Sequence, residues 1–269
     1  MVYKQTEEKL YAIREVAEMT GVKPVTLRAW QRRYNLVQPQ RTEKGHRLYN
    51  EENLAMIREI QGWLAKGVAI GKVQALLGQA ADISGLESQA LDEVEAMLSA
   101  LADLSAGKVE SLLNTVLREY PFNVVCQQFL SPILQSVELV KSANRSLQKG
   151  LLRSILVRRL AAVLDAENKA ASKGKCLIVS YESSDSLAGW IEAARLSDQG
   201  WHITLIDHVD DVSGLLQVDV LAKYQRVHLF SNRALQEKQQ AIIRQLQQQH
   251  SAVTLSEVLS KLHFEQESQ

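Results

Sequence analysis

The 269-residue chain contains 46 % hydrophobic and 23 % charged residues, which is typical of a globular protein with substantial cores. Its length predicts two or three domains. No apolar run approaches the ~20 residues that span a bilayer, and residues 1–10 lack a signal-peptide core, so we expect a cytoplasmic protein with no membrane partner.

The net charge is zero, but the charges are unevenly distributed. Residues 1–79 contain 13 lysines and arginines against 8 acidic residues, whereas residues 80–269 contain 18 against 23. Within residues 23–47, seven basic residues accompany the single acidic Glu43. A basic segment of this kind favours a polyanionic partner, although a solvated charged face gives the same composition.

The first elements have the pattern of a helix-turn-helix. A helix that begins near Tyr11 is ended by Gly21, since glycine readily adopts the left-handed conformation of a helix stop. Pro24 suits the first turn of a second helix, which extends to about Tyr34. Two short helices joined by a tight turn containing glycine are typical of this motif.

A basic hairpin follows the two helices. Residues 39–42 predict extended chain, residues 43–46 a turn with Gly45 in the tight position, and residues 47–49 a return strand. Together with the preceding helices, this hairpin indicates the wing of a winged helix.

Two more helices complete the predicted winged helix over residues 10–79. Asn50 is a favourable N-cap for the first of them, and Gly67 ends it. A short helix over residues 73–77 closes the unit at Gly78.

Basic and polar side chains of this unit are candidates for contact with double-stranded DNA. A recognition helix enters the major groove, and wing residues contact the flanking phosphates. Trp30 and Tyr49 fit a packing role as well as a contact with the DNA backbone. The candidates are Lys23, Thr26, Arg28, Trp30, Arg32, Arg41, Lys44, His46, Arg47 and Tyr49.

The same segments resemble the DNA-binding domain of the MerR family. The resemblance is carried by YAIREVA at residues 11–17, GVKPVTLRAWQRRY at residues 21–34 and PQRTEKGHRLY at residues 39–49. Residues 27–34 look closest to the MlrA-type subgroup, which is associated with curli and biofilm control. Lys23 departs from the usual Ser or Thr N-cap, at a cost of about 1 kcal/mol. Trp30 and Gln31 also differ from the usual wording, so base preferences cannot be transferred.

The resemblance implies a homodimer on a palindromic operator in an overlong promoter spacer. Such proteins activate transcription by distorting the spacer so that both promoter elements face RNA polymerase, and contacts with the DNA offset the cost of the deformation. MerR proteins usually pair through a long helix after the winged helix, and residues 83–101 could provide it. The same stretch could equally be the first helix of a bundle.

Residues 84–168 predict a helical bundle. Residues 84–87 have the capping-box signature of a helix start. The further predicted helices cover residues 109–119, a stretch from Pro121 that Pro132 kinks or splits, and about residues 146–167.

From residue 173 the pattern changes to short β-branched runs that alternate with helices, which implies a Rossmann-like, flavodoxin-like parallel α/β domain. The predicted fold class is therefore mixed α and α/β. The predicted domains are residues 1–79 (winged helix), 80–172 (bundle and possible dimerisation region) and 173–269 (sensor or interaction domain). The predicted strands cover residues 176–181, 202–207, 226–231 and 252–255, and helices cover 187–196 and 235–249.

Ligands of parallel α/β sheets bind beyond the carboxyl ends of the strands. Polar residues predicted there are candidates for an effector site, although ordinary loop residues give the same pattern. No glycine-rich phosphate loop or ordered nucleophile and base is recognisable, so we expect no enzyme activity. Cys126 and Cys176 lie far apart in apolar settings, which favours buried free thiols over a disulfide or a metal site. The effector candidates are Tyr181, Glu182, Ser183, Asp207, His208, Ser231, Asn232 and Arg233.

The bundle and the α/β domain together resemble the cobalamin-binding module of light-sensing MerR relatives. In that module a histidine in the loop after the first strand binds cobalt, but this chain has Ser184 there. The Trp…Glu-His signature of the bundle is also missing around residues 140–151. Because a serine hydroxyl cannot replace imidazole as a cobalt ligand, we expect no cofactor and no metal.

Three functions therefore stay open at this point. The first is a dimeric MerR-type activator whose C-terminal region senses a small molecule or a protein partner. The second is a sensor regulator of the same architecture that holds cobalamin without a histidine ligand, or a nucleotide. The third is a scaffold that docks signalling proteins.

Overall fold

The computed structural model describes residues 9–78, 90–141, 143–217 and 219–264. The chain divides into two compact units, residues 1–152 and 153–269, and the boundary between them falls inside one long helix. The three domains expected from the sequence, with boundaries after residues 79 and 172, stay a prediction.

The first unit begins with a small winged helix. Its three strands form an antiparallel sheet in the order β1-β3-β2, in which Arg41 is paired with Arg47 across the wing. The elements are β1 (Tyr11–Ala12), α1 (Ile13–Thr20), α2 (Pro24–Tyr34), β2 (Gln40–Arg41), β3 (Arg47–Tyr49), α3 (Glu51–Ala65) and α4 (Ile70–Val73).

Local signals at the helix ends operate as the sequence predicts. Gly21 ends α1 with a φ of 72°, and Pro24 occupies the first turn of α2. The Asn50 side chain caps α3 by accepting a hydrogen bond of 2.9 Å from the Asn53 backbone N–H. Each of these residues satisfies or avoids a backbone group that a helix end leaves unpaired.

The last helix of the winged helix is displaced from its predicted position. It spans Ile70–Val73 rather than residues 73–77. Ile70 and Val73 are buried, and the Ile70 N–H donates to the Tyr120 hydroxyl at 3.3 Å. A partner from distant sequence thus anchors the helix start, and turns lead from the helix to Gly78, whose φ is 76°.

Helices of the bundle follow within the same unit. The predicted capping box at residues 84–87, and residues 83–89 of the predicted helix over residues 83–101, lie outside the described residues. The elements are α5 (Glu93–Ala102), α6 (Ala106–Glu119), α7 (Phe122–Val124), a π-helical segment (Val125–Leu130), α8 (Ser131–Leu139) and α9 (Arg145–Asn168), of which residues 153–168 belong to the second unit.

Pro132 explains the break that the sequence predicts in this bundle. A proline has no N–H to donate to the carbonyl four residues earlier, here that of Gln128. That carbonyl accepts a hydrogen bond of 2.9 Å from the Leu91 N–H instead, and the π-helical segment lies immediately before α8. The break therefore provides an acceptor for another part of the bundle.

The second unit contains a four-stranded parallel sheet in the order β5-β4-β6-β7. The predicted strands are confirmed to within about one residue, while the last helix was not predicted. The elements are β4 (Lys175–Ser180), α10 (Ala188–Asp198), β5 (His202–Ile206), two 3-10 turns (Ser213–Gln217 and Asp219–Lys223), β6 (Arg226–Phe230), α11 (Glu237–Gln249), β7 (Val253–Leu255) and α12 (Glu257–His263).

Both faces of the sheet are covered, as expected for parallel strands. On one face, Leu177 and Val227 pack with Ile243 and Leu246 of α11. The other face forms a separate core, which includes Ile178 of β4, Ala193 and Leu196 of α10, and Leu164 of α9. Because the strands are parallel, their carboxyl ends lie at a common edge of the sheet, where the effector site was predicted.

The cysteines are both free thiols, but they differ in burial. Cys176 is buried in β4, where burial raises the pKa of its thiol to about 11. Cys126 is partly exposed, so the expectation that both thiols are buried was wrong for this residue.

Candidate nucleic-acid interface

The outer face of α2 exposes two arginines. Arg28 and Arg32 are four residues apart and therefore lie on the same side of the helix. Trp30, on the opposite side, is fully buried. Side chains that project away from the core in this way can enter the major groove, which is wide enough to admit a helix.

The wing presents further cationic groups. Arg41, Lys44 and His46 are exposed, and Gly45 makes the tight turn between the strands with a φ of 81°. The Arg47 Nε donates a hydrogen bond of 2.7 Å to the Gln31 side chain of α2. The wing and the recognition helix are thus tied together at their base.

Gln31 and Arg14 belong to this region but are not among the DNA contacts predicted from the sequence. Arg14 is exposed in the first turn of α1 and lines a cleft of about 390 Å³ with Arg28, His46 and Arg47. Three arginines around one cleft give a site suited to a phosphate oxygen. The sequence did contain a signal for Arg14, because this charged residue lies beside the apolar stripe of α1.

Lys23 precedes α2 and is half-buried. It provides no side-chain cap for the helix, in agreement with the departure from the usual Ser or Thr at this position. Its location at the N-terminal end of the recognition helix keeps it among the candidates for a DNA contact.

Three of the predicted DNA contacts need correction, because their side chains are buried. Thr26 is 3 % exposed and Tyr49 is 1 % exposed, and burial raises the pKa of the Tyr49 hydroxyl. Trp30 has no exposed surface, and its indole N–H donates a hydrogen bond of 2.8 Å to the Glu119 carbonyl. These side chains hold the recognition helix and the wing in place and cannot reach DNA in this conformation.

At the edge of the parallel sheet, the structure brings the candidate effector residues together. Glu182, after β4, accepts hydrogen bonds from the Asn232 N–H at 2.7 Å and from the Ser186 hydroxyl at 3.0 Å. His208, after β5, places its Nδ1 at 3.4 Å from the Glu182 carbonyl. Arg233, after β6, donates to the Tyr181 carbonyl. The loops after three strands thus form one hydrogen-bonded cluster.

Two of these eight candidates are corrected by their burial. Tyr181 is 1 % exposed and belongs to the core on the α11 side, and Ser231 has no exposed surface. Ser231 donates to the Arg233 carbonyl at 3.0 Å, which uses its hydroxyl inside the loop. Neither side chain lines an open crevice, because both face inward where the strands end.

The remaining candidates lie around a tightly packed helix start. A Cβ on Gly189 of α10 would lie 2.7 Å from the Ser180 Oγ and 2.8 Å from the Asp207 Oδ1. Only glycine allows this approach without displacing its neighbours. Ser183 is exposed and donates to Asp185 at 2.6 Å. The edge is therefore closed by its own polar contacts, and a ligand would have to displace some of them.

Neither metal binding nor membrane insertion is indicated in the described ranges. Residues 9–78, 90–141, 143–217 and 219–264 contain no group of three or more His, Cys, Asp or Glu side chains that could hold a metal ion. Within those same ranges, no helix is long and apolar enough to cross a membrane. Ser184, which the sequence comparison predicts in place of a cobalt-binding histidine, is exposed, and its carbonyl accepts a hydrogen bond from Arg153.

Comparison with protein families gives two matches along the chain. Residues 11–88 match the model of the MerR HTH family regulatory protein. Residues 174–253 match the model of the transcriptional regulator MlrA, C-terminal domain. The first match contains the exposed arginines of α2 and the wing, and the second contains β4, β5 and β6 and ends at the first residue of β7.

Several curated proteins are similar over most of the chain. The HTH-type transcriptional regulator MlrA of Salmonella typhimurium is 33 % identical over 199 residues, which is 74 % of this chain and 80 % of the relative. Its counterpart of the same name in Escherichia coli is 32 % identical over the same shares. The HTH-type transcriptional repressor CarH of Myxococcus xanthus is 28 % identical over 74 % of this chain and 71 % of the relative. Like these proteins, the chain is a DNA-binding transcriptional regulator rather than an enzyme, and it belongs to the MerR family, with an MlrA-type C-terminal domain.

Proposed function

We propose that the chain activates transcription as a homodimer bound to a palindromic operator within an overlong promoter spacer. The observation that carries this proposal is the exposed arginine face of α2, flanked by a cationic wing that Arg47 ties to the helix. One such face reads one half-site, so a palindrome requires two copies. Distortion of the spacer then allows RNA polymerase to engage both promoter elements.

The proposal also covers which genes the protein regulates and whether it activates or represses them. The MlrA-type C-terminal domain favours control of curli and biofilm genes, because that subgroup is associated with them. The relatives in Myxococcus xanthus are named repressors, whereas the MlrA proteins are named regulators. Because these names do not agree on the direction of control, an experiment must distinguish activation from repression. We expect the protein to act in the cytoplasm, where its DNA lies.

Transcription in vitro from two promoters separates activation by distortion from the alternatives. One promoter carries the operator in an overlong spacer, and the other has the same operator in a spacer of ordinary length. The protein should increase transcript yield with RNA polymerase only on the first promoter. Equal stimulation of both promoters would exclude distortion, and reduced yield on both would indicate a repressor.

We also propose that the C-terminal domain works without cobalamin and responds to a small molecule or a protein partner. The supporting observation is the donor set, since Ser184 offers a hydroxyl where cobalt binding requires imidazole. The partner would contact the members of the strand-end cluster that are not fully buried, namely Glu182, Ser183, Asp207, His208, Asn232 and Arg233, of which the Asp207 side chain is only 10 % exposed.

An absorbance spectrum tests the absence of cobalamin. Protein purified after incubation with cobalamin should show no visible absorbance beyond that of a buffer control. A coloured protein that keeps its colour through gel filtration would contradict the proposal and favour cobalamin held without a histidine ligand.

A further inference from the structure

Glu119, at the end of α6, is a buried carboxylate that the predicted interface does not include. Its side chain is 1 % exposed, although it lies in the bundle and not in the winged helix. A carboxylate excluded from water requires charged or hydrogen-bonding partners, because the lost hydration is not otherwise compensated. The partners of Glu119 therefore show what this position of the bundle holds.

Those partners are side chains of the recognition helix. Arg33 forms an ion pair with one oxygen of the Glu119 carboxylate, and the Tyr34 hydroxyl donates a hydrogen bond to the other. The Trp30 indole N–H donates to the Glu119 backbone carbonyl at 2.8 Å. One residue of the bundle thus contacts three side chains in the second half of α2.

These three side chains lie on the side of α2 that faces away from the proposed DNA contacts. Helical periodicity separates Trp30, Arg33 and Tyr34 from Arg28 and Arg32, which are exposed. Arg33 is 48 % exposed as well, but its guanidinium is paired with Glu119. The bundle can therefore hold the helix without covering its DNA-facing side. Arg118, beside Glu119, lies 3.6 Å from the same carboxylate and adds to its cationic surroundings.

Two further bundle residues, Tyr120 and Gln128, contact α4 and the end of α3 in the winged helix. The Tyr120 hydroxyl accepts from the Ile70 N–H of α4 at 3.3 Å and donates to Glu93 of α5 at 3.1 Å. The Gln128 side chain donates to the Leu64 carbonyl at the end of α3 at 2.8 Å. Buried polar contacts of this kind specify one relative placement, since a shift leaves a donor or acceptor unpaired.

We propose that Glu119 is a positioning residue for DNA recognition, through which the bundle sets the orientation of the recognition helix. The proposal rests on DNA binding by α2 and the wing, and it adds a residue outside that interface. Arg33 acts as the partner of Glu119 and not as a phosphate contact. A change in the bundle that displaces Glu119 would then turn Arg28 and Arg32 away from the bases.

The test uses the full chain and a duplex selected by the wild-type protein from a random-sequence pool. Glu119→Gln keeps the size of the side chain but removes its charge. We expect it to weaken binding to the selected duplex on the order of tenfold, with binding to unselected DNA unchanged. Glu95→Gln is the matched control, because it removes an acidic charge from an exposed position of α5.

A double-mutant cycle with Arg33→Met identifies the partner. If Glu119 acts through Arg33, each single variant should lose similar affinity for the selected duplex, and the double variant should lose little more. Arg33→Lys, which retains the charge, should recover most of the loss. If Arg33 instead contacts phosphate, Arg33→Met would weaken binding to unselected DNA as well, and Glu119→Gln would not weaken binding to the selected duplex.

Three results are distinguishable. If no duplex is selected, DNA binding itself fails and the inference fails with it. If Glu119→Gln binds the selected duplex like the wild type, only the inference is overturned. If Glu119→Gln does not fold, Arg33→Met and Tyr34→Phe carry the test, since both side chains are partly exposed, and wild-type specificity in both would overturn the proposal.

Discussion

Arg28 and Lys44 represent two kinds of DNA contact that the structure separates in space. Arg28 lies on the outer face of α2, where it can reach base edges, and Lys44 lies at the tip of the wing. Phosphate contacts increase affinity for every sequence, whereas base contacts discriminate between sequences. Substitution of Arg28 should therefore affect DNA binding differently from substitution of Lys44.

Arg28→Ala should weaken binding to the selected duplex by about 1–3 kcal/mol and relax preference at one base position. Lys44→Ala should weaken binding to all duplexes by similar factors, because it removes a phosphate contact. Competition binding against single-base variants of the selected duplex measures both effects. Lys108→Ala on α6 is the control, and a uniform loss in Arg28→Ala would contradict the assignment.

Tyr49 is a buried tyrosine whose hydroxyl has no hydrogen-bond partner among the described residues. A buried unpaired hydroxyl destabilises a fold, so its removal without a change of shape is neutral or favourable. We expect Tyr49→Phe to leave the free energy of unfolding unchanged or to raise it by up to about 1 kcal/mol. Urea unfolding followed by circular dichroism measures this change.

Operator binding by the same variant tests the correction made for Tyr49. Because its hydroxyl is buried, Tyr49→Phe should bind the selected duplex like the wild type. Loss of affinity without loss of stability would show that the hydroxyl reaches DNA after all.

At the scale of elements, α10 and β6 are joined by a nearly buried contact between the Glu192 carboxylate and the His228 ring. The Glu192 carboxylate lies 3.1 Å from the His228 Nε2 and accepts hydrogen bonds from Arg195 at 2.5 and 2.8 Å. Burial by itself raises the pKa of Glu192, but the hydrogen bonds from Arg195 and His228 outweigh it and lower the pKa to about 2. His228 also contacts Thr254 of β7 at 3.0 Å.

A lowered pKa in the folded state makes stability depend on pH in a defined direction. The contribution of Glu192 should be fully present above its ordinary pKa of 4.5 and should be lost as the pH falls towards 2. The expected contribution is up to about 3 kcal/mol. As the pH falls from 4.5 towards 2, the free energy of unfolding should therefore decrease less for Glu192→Gln than for the wild type.

Urea unfolding at a series of pH values from neutral to acidic provides the measurement. Glu257→Gln is the control, because Glu257 pairs with Lys261 at an exposed position of α12 and its removal should leave the pH profile almost unchanged. Parallel pH profiles of Glu192→Gln and the wild type would contradict the role given to Glu192.

For the whole molecule, the zero net charge conceals a cationic first part. DNA binding by the exposed side chains of α2 and the wing should release counterions from the duplex. We therefore expect the logarithm of the affinity to fall linearly with the logarithm of salt concentration, by about 0.9 units for each phosphate neutralised. Fluorescence anisotropy at several salt concentrations measures the slope, and a slope near zero would contradict electrostatic binding.

Much of the architecture could be predicted because its signals are local. Gly21, Pro24 and Asn50 mark helix ends through contacts within a few residues, and the β-branched runs mark strands through alternation and composition. The same applies to Arg28 and Arg32, since helical periodicity alone places them on one side. These features depend on neighbours in sequence, so the sequence by itself determined the winged helix, the parallel sheet and the outward arginines.

The tertiary structure decided which polar and aromatic side chains are available. The Trp30 indole is occupied by Glu119, which is 89 residues away in sequence, and the carbonyl freed by Pro132 is occupied by Leu91. Tyr181 and Ser231 are buried by the elements around the strand ends. No local pattern contains such partners, because they meet only when distant segments pack. Burial and long-range hydrogen bonding thus separated the side chains that can bind DNA from those that hold the recognition helix in place.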